Sequence, residues 1–138
     1  MLDDRTSIAH LELTLPPRSP SVGIARHEVE HAIASYPEEV RATVALLTSE
    51  LASNAVIHAQ TPFRVEAYGD RATVHVAIRD WAGRLPVVAP HDPTTLGGWG
   101  LSMVDAAASR WGIESDDTTT VWFEIDVDPQ SVDIDLTD

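Results

Sequence analysis

The stretch Glu50-Leu51-Ala52-Ser53-Asn54-Ala55-Val56-Ile57-His58-Ala59 carries two patterns at once. Leu51 and Ala55 continue an apolar series begun by Val40, Val44 and Leu47, the spacing of a helix with one face in a core. Glu50, Asn54 and His58 follow one another at i, i+4 and i+8 along a second edge, with neighbours about 5–6 Å apart at Cβ. A carboxylate one turn from a carboxamide suits a hydrated cation. The amide oxygen is a neutral ligand for Mg²⁺, which prefers oxygen and keeps several waters. The carboxylate can accept a proton from an attacking hydroxyl or water. A solvated helix edge has the same look, so the meaning of this one depends on the rest of the chain.

Toward the N-terminus, Ser35-Tyr36-Pro37-Glu38 reads as a capping box with Pro in the first turn, opening a helix that runs to about Ala59. Before it, Val22, Ala25, Val29, Ala32, Ile33 and Tyr36 share one face of another helix starting at Ser21. Pro16, Pro17 and Pro20 make the loop between that helix and an alternating strand from Ile8 to Leu15. Toward the C-terminus, Phe63 to Tyr68 and Ala72 to Asp80 alternate on either side of a Gly69-Asp70 turn, a hairpin pattern. Trp81 to Gly98 has no period and holds Pro86, Pro90 and Pro93; an aperiodic stretch this long in a small domain is usually functional. Gly98-Trp99-Gly100 introduces a helix with Leu101, Val104, Ala108 and Trp111 on one side, stopped by Gly112. Ile113 to Ser115 and Thr119 to Val127 read as strands, and Asp128 to Asp138 as a solvated acidic tail.

The helices are grouped rather than alternating singly with strands. The order therefore predicts an α/β (α+β) two-layer sandwich, a mostly antiparallel mixed sheet covered on one face. One domain is expected over residues 1–127, with a flexible tail over 128–138.

The 138 residues suffice for a single core. There is no Cys, which excludes disulfides, thiolate zinc sites and a cysteine nucleophile. All 9 basic residues are Arg, so a Walker-type phosphate lysine and a Schiff base are excluded too. The formal charge of −13 makes nucleic acid a poor partner, since affinity for a phosphate backbone comes from Lys and Arg. No apolar run approaches the about 20 residues of a membrane span, and the start Met1-Leu2-Asp3-Asp4-Arg5 lacks the pattern of a signal peptide. A cytoplasmic protein with no membrane partner is expected.

His27-Glu28-Val29-Glu30-His31 is a literal H-E-x-x-H, the zinc metallopeptidase signature. The apolar stripe of its helix runs through Ala25, Val29 and Ala32, which turns both His away from the core. A catalytic zinc needs a third protein ligand and an open position, and Ala32 to Pro37 supplies no His. A zinc peptidase is the remote reading of this chain.

Four segments in order resemble the boxes of the GHKL ATP-binding superfamily of gyrase, heat-shock chaperone, histidine kinase and MutL. Glu50 to Ala59 resembles its N box, Arg79-Asp80-Trp81-Ala82-Gly83 its first glycine box, Gly98-Trp99-Gly100-Leu101-Ser102-Met103-Val104 its second, and Thr120-Val121-Trp122-Phe123-Glu124 the strand closing the adenine pocket. Within the superfamily the chain resembles the RsbW-like branch, bacterial anti-sigma factors that are also serine/threonine kinases.

The resemblance implies a Bergerat-type fold that binds ATP with Mg²⁺. It implies Glu50 as general base and Asn54 as Mg²⁺ ligand, with His58 near the phosphates. Asp80 would accept the adenine amino group, with Ala82 and Gly83 on the pocket floor and the Thr120 hydroxyl in support. Residues 84–98 would form the ATP lid, and Gly98, Gly100 and Leu101 the phosphate-facing start of a helix, where free N–H groups favour anions. The implied partners are a sigma factor and an anti-anti-sigma protein of the STAS type, with a homodimer among the implied assemblies.

Two departures from the pattern remove positive charge. Ile57 stands where many relatives carry Arg or Lys, and Asp116-Asp117-Thr118-Thr119 stands where relatives often have Gly-Lys. They motivate an alternative, a nucleotide-dependent protein-binding module with little or no phosphate transfer.

Overall fold

Phe63, Val65 and Ala67 are buried while Arg64, Glu66 and Tyr68 keep contact with solvent, the alternation of a strand covered on one face only. The computed structural model describes residues 5–82 and 98–133. In chain order it contains β1 (Ala9–Leu15), α1 (Ser19–Ala32), α2 (Glu38–Asn54), a π-helical segment (Ala55–Ala59), β2 (Phe63–Gly69), β3 (Thr73–Asp80), α3 (Gly98–Ala107), β4 (Arg110–Ser115), β5 (Thr119–Asp126) and a 3₁₀ turn (Pro129–Ser131). The five strands lie in the order β1-β2-β3-β5-β4, and every neighbouring pair is antiparallel.

The helices pack on one face of this sheet. Val74, Val76 and Ile78 of β3 pair across to Ile125, Phe123 and Val121 of β5, and this row meets the stripe Val44, Leu47, Leu51 and Ala55. Ala25, Val29 and Ile33 close one side of the core, and Leu101 and Val104 of α3 the other. The expected α+β two-layer architecture is the observed one, with no parallel pair among the described strands.

Several local expectations do not hold. Ser35 does not cap α2: Pro37 holds the N-cap position in extended conformation, without a side-chain cap bond. That leaves Ser35 two residues too early to reach the first-turn N–H groups. Arg41 Nε instead donates to the Tyr36 carbonyl at 2.8 Å. Pro20 belongs to the first turn of α1 rather than to the loop, since that turn needs no N–H from it. The helix expected to end at Gly112 ends at Ala107, and Trp111 and Gly112 belong to β4. Gly112 lies opposite Trp122, and a Cβ there would come within 2.8 Å of the indole. This glycine admits a neighbouring ring instead of ending a helix.

Residues 128–133 are folded against the domain. Val132 is buried, Asp133 N–H donates to the Ser35 carbonyl, and Arg71 Nη2 donates to the Pro129 carbonyl at 2.7 Å. The acidic composition of the tail conceals this one apolar anchor. Among the described residues no helix is long and apolar enough to cross a membrane.

Candidate functional site

The turn from the π segment into β2 assembles one pole of the molecule. Gln60 ends the π segment with φ 58°, a left-handed conformation, and its N–H donates to the Ala55 carbonyl at 3.2 Å. Three residues later Phe63 pairs with Asp80, the last residue of β3. Thr61 Oγ1 accepts from the Trp81 N–H at 3.1 Å, tying the end of β3 to the end of the helix. Both α2 and the π segment pack against β3, so Asn54 and Asp80 share this pole.

Asp80 and Thr119 are cross-strand partners, which puts the start of β5 here as well. β4 begins opposite Glu124, at the far end of the sheet, directly after α3. Helix α3 therefore ends toward that far end, where Ser109 N–H donates to the Glu124 carbonyl at 2.8 Å.

Glu50 is half-buried on α2, one turn before the half-buried Asn54. His58 is exposed. It lies within the π segment, where i→i+5 bonding takes more residues per turn than in an α-helix. Such π turns inside helices are frequent at functional sites. Ile57 is 42% exposed beside His58.

Asp80 Oδ1 accepts from the Ala82 N–H at 3.0 Å, an Asx-type turn that fixes the carboxylate at the strand end. Gly83 and residues 84–97, the body of the expected lid, lie outside the described residues. Gly98 and Gly100 fall in the first turn of α3. The Leu101 side chain is 1% exposed and belongs to the core, so only its backbone is available to a ligand.

Thr120 is not on this side of the sheet. It pairs with Arg79, and its Oγ1 accepts from Arg79 Nε at 3.1 Å on the face away from the helices. Strand residues alternate, so Thr119, in phase with the buried Val121, Phe123 and Ile125, is the hydroxyl on the side of Asp80. Thr119 is 1% exposed. Its own sequence held the signal: two residues before the buried Val121 is the same face, one residue before is the opposite face.

Among the described residues no three His, Asp or Glu side chains stand close enough to hold a metal ion. His27 and His31 are both exposed on α1. The donors at the pole are a carboxamide and a carboxylate a turn apart. That set fits Mg²⁺ completing its shell with phosphate oxygens and water, and does not fit a metal caged by protein alone.

A family model described as a histidine kinase-like ATPase domain matches residues 15–125. No curated protein matches the chain. The matched segment runs from the end of β1 through β5 and includes both Glu50 and Asp80. An ATP-binding fold of this type accounts for a pole built from a helix C-terminus and a strand-end carboxylate, and the chain belongs to the histidine kinase-like ATPase domain family.

Proposed function

We propose that this chain is a Mg²⁺–ATP-dependent serine/threonine protein kinase of the anti-sigma type. It phosphorylates a STAS-type anti-anti-sigma partner and holds a sigma factor when that partner is modified. The reading rests on one observation above the others. Glu50 stands one turn before Asn54 and also borders an open groove between α1 and α2, a position that suits a general base between a nucleotide and an acceptor hydroxyl.

In the transfer, the acceptor oxygen bonds to the γ-phosphorus. The bond from that phosphorus to the bridging oxygen breaks, its electron pair leaves with ADP, and the hydroxyl proton goes to the Glu50 carboxylate. Asp80 holds the base amino group and Thr119 supports it. Asn54 would hold Mg²⁺, and the metal would supply neutralisation of phosphate charge. The start of α3 offers backbone N–H groups to the phosphates.

A second reading has its own observation. Ile57 exposes an apolar side chain where relatives reach the phosphates with a cation, which favours a nucleotide-dependent binding module. Transfer of labelled γ-phosphate to a purified STAS-type partner separates the two. Under the kinase reading Glu50→Ala lowers transfer by about 10²–10⁴-fold and leaves ATP binding in place. Wild-type protein that binds ATP and transfers nothing establishes the module instead.

A further inference from the structure

Asp80 is the last residue of β3 in both of its ladders, opposite Phe63 on β2 and Thr119 on β5. Beyond it, two bonds to side chains hold the backbone. The Ala82 N–H donates to Asp80 Oδ1 at 3.0 Å, and the Trp81 N–H donates to Thr61 Oγ1 at 3.1 Å. The first bond is made by the carboxylate itself, so it fixes the carboxylate only as well as the backbone it grips is fixed. The second comes from another part of the chain, the connection between the π segment and β2, and it supplies that anchor. The Trp81 side chain is 47% exposed, so packing of the indole does little to hold this backbone.

Thr61 is suited to presenting a fixed hydroxyl. It precedes Pro62, which restricts its backbone to extended conformations. It is β-branched, which restricts its side-chain torsion. Its O–H donates to the Pro62 carbonyl at 3.0 Å, which leaves a lone pair of Oγ1 for the Trp81 N–H. On one side of Thr61, Gln60 bonds back to the Ala55 carbonyl, so Thr61 is carried by the helix in which Asn54 lies. On the other side, Phe63 is fully buried and pairs with Asp80. Strand pairing thus sets where the turn after Asp80 begins, and the Thr61 hydroxyl sets where it goes next.

Resting on the assignment of the base amino group to Asp80 in the reading above, we infer that Thr61 is a positioning residue for base selection. It acts through the backbone and not by touching the nucleotide. Thr61 holds the Trp81 peptide, the peptide supports the Asx-type turn, and the turn aims the carboxylate. Aim matters because a hydrogen bond weakens steeply as its angle closes. A carboxylate held in line accepts from the exocyclic amino group of adenine and repels the carbonyl oxygen that hypoxanthine carries in its place. A carboxylate that swings does both less well.

The test uses the full chain with ATP and with ITP, two nucleotides that differ in the base alone, each with Mg²⁺ and read by calorimetry. The ratio of the two affinities cancels what the phosphates, the metal and overall stability contribute. Wild-type protein should prefer ATP by about tenfold or more, since ITP sets an oxygen against the carboxylate. Thr61→Val keeps the shape and the β-branch and removes the hydroxyl. It should lower the ratio by about 2–10-fold, the worth of one neutral hydrogen bond, through weaker binding of ATP with ITP affinity retained. Thr61→Ala also lacks the hydroxyl, should act in the same way, and gives the comparison if the valine variant does not fold. Thr61→Ser returns the hydroxyl and should restore the wild-type ratio.

A wild-type ratio in the variants without the hydroxyl, or ATP and ITP weakened alike, overturns the positioning role and leaves the Asp80 assignment standing. A lowered ratio that serine does not restore overturns it too. Wild-type protein with no preference between ATP and ITP overturns the Asp80 assignment and the role of Thr61 with it.

Discussion

Asp80 and Thr119 face each other across β3 and β5, while Thr120, one residue on, bonds Arg79 on the opposite face. This alternation makes a sharp contrast. Asp80→Asn removes a charged acceptor worth about 1.5–3 kcal/mol, so ATP affinity should fall about 10–100-fold. Thr119→Val should weaken it by about 2–10-fold, the worth of one neutral hydrogen bond. Thr120→Val should leave it unchanged and disturb only the Arg79 contact. Calorimetry on the three variants checks this ordering, and a larger loss at Thr120 than at Thr119 would falsify the assignment. The residue types were legible in the sequence, because a strand-end carboxylate followed by a threonine-bearing strand is a recognisable pattern. Which threonine serves was a matter of phase, and the buried Val121 and Phe123 decide it.

At the scale of elements, β4 and the end of α2 teach different things. Gly112 looks like a helix stop because Leu101, Val104, Ala108 and Trp111 share a helical period. The chain nevertheless turns into β4 at Arg110, whose Nε donates to Glu124 at 2.8 Å and which also pairs with Asp126. Tertiary pairing here outweighs a local period. Gly112→Ala should destabilise the protein by about 1–3 kcal/mol, because the indole of Trp122 must give way. Urea unfolding is the check, and an unchanged midpoint would mean that Trp122 swings aside freely. The π segment has no signature in composition: Ala55 to Ala59 are ordinary helical residues. The short connection to β2 and the anchoring of Thr61 to Trp81 account for the wider turn, and these are constraints from outside the helix.

Charge acts at the scale of the whole molecule. A chain of net charge −13 repels a free nucleotide, so binding should depend on the cation. Chelation of Mg²⁺ should lower ATP affinity by at least tenfold and leave adenosine affinity unaltered, as read by calorimetry with and without EDTA. Equal ATP affinities in the two conditions would remove Asn54 from its role.

The open face of the sheet answers to pH. Burial pushes the Glu124 carboxyl up, but hydrogen bonds from Arg110 and His75 together hold it below the usual carboxylate range. A carboxylate depressed by folding contributes stability above its unfolded pKa of about 4.3 and loses it as pH falls through the lower folded value. For a pair this near the surface the contribution is about 0.5–1 kcal/mol. Glu124→Gln should therefore lower stability at pH 7 by that amount and reduce the slope of the decline below pH 4, followed by thermal melts across the acid range. His75 stacks on Tyr68 with ring centroids 4.6 Å apart and lies 5.7 Å from the Trp122 ring, so His75→Leu should lower stability as well by exposing the edges of both rings.

By itself the sequence determined the period of the core elements apart from the α3–β4 junction, the layer architecture, and the residue types at the nucleotide pole. Apolar spacing and chemical type are properties of neighbours along a chain, and local geometry converts them directly into faces. Only the tertiary structure decided which faces meet. It assigned Thr119 rather than Thr120 to the side of Asp80, turned the end of the helix at Ala55–Ala59 into a π segment, folded Val132 back onto the domain, and opened a groove at Glu50 between helices whose sequences show no sign of it. Those are relations between segments distant in the chain, set by strand register and helix packing, which no local period encodes.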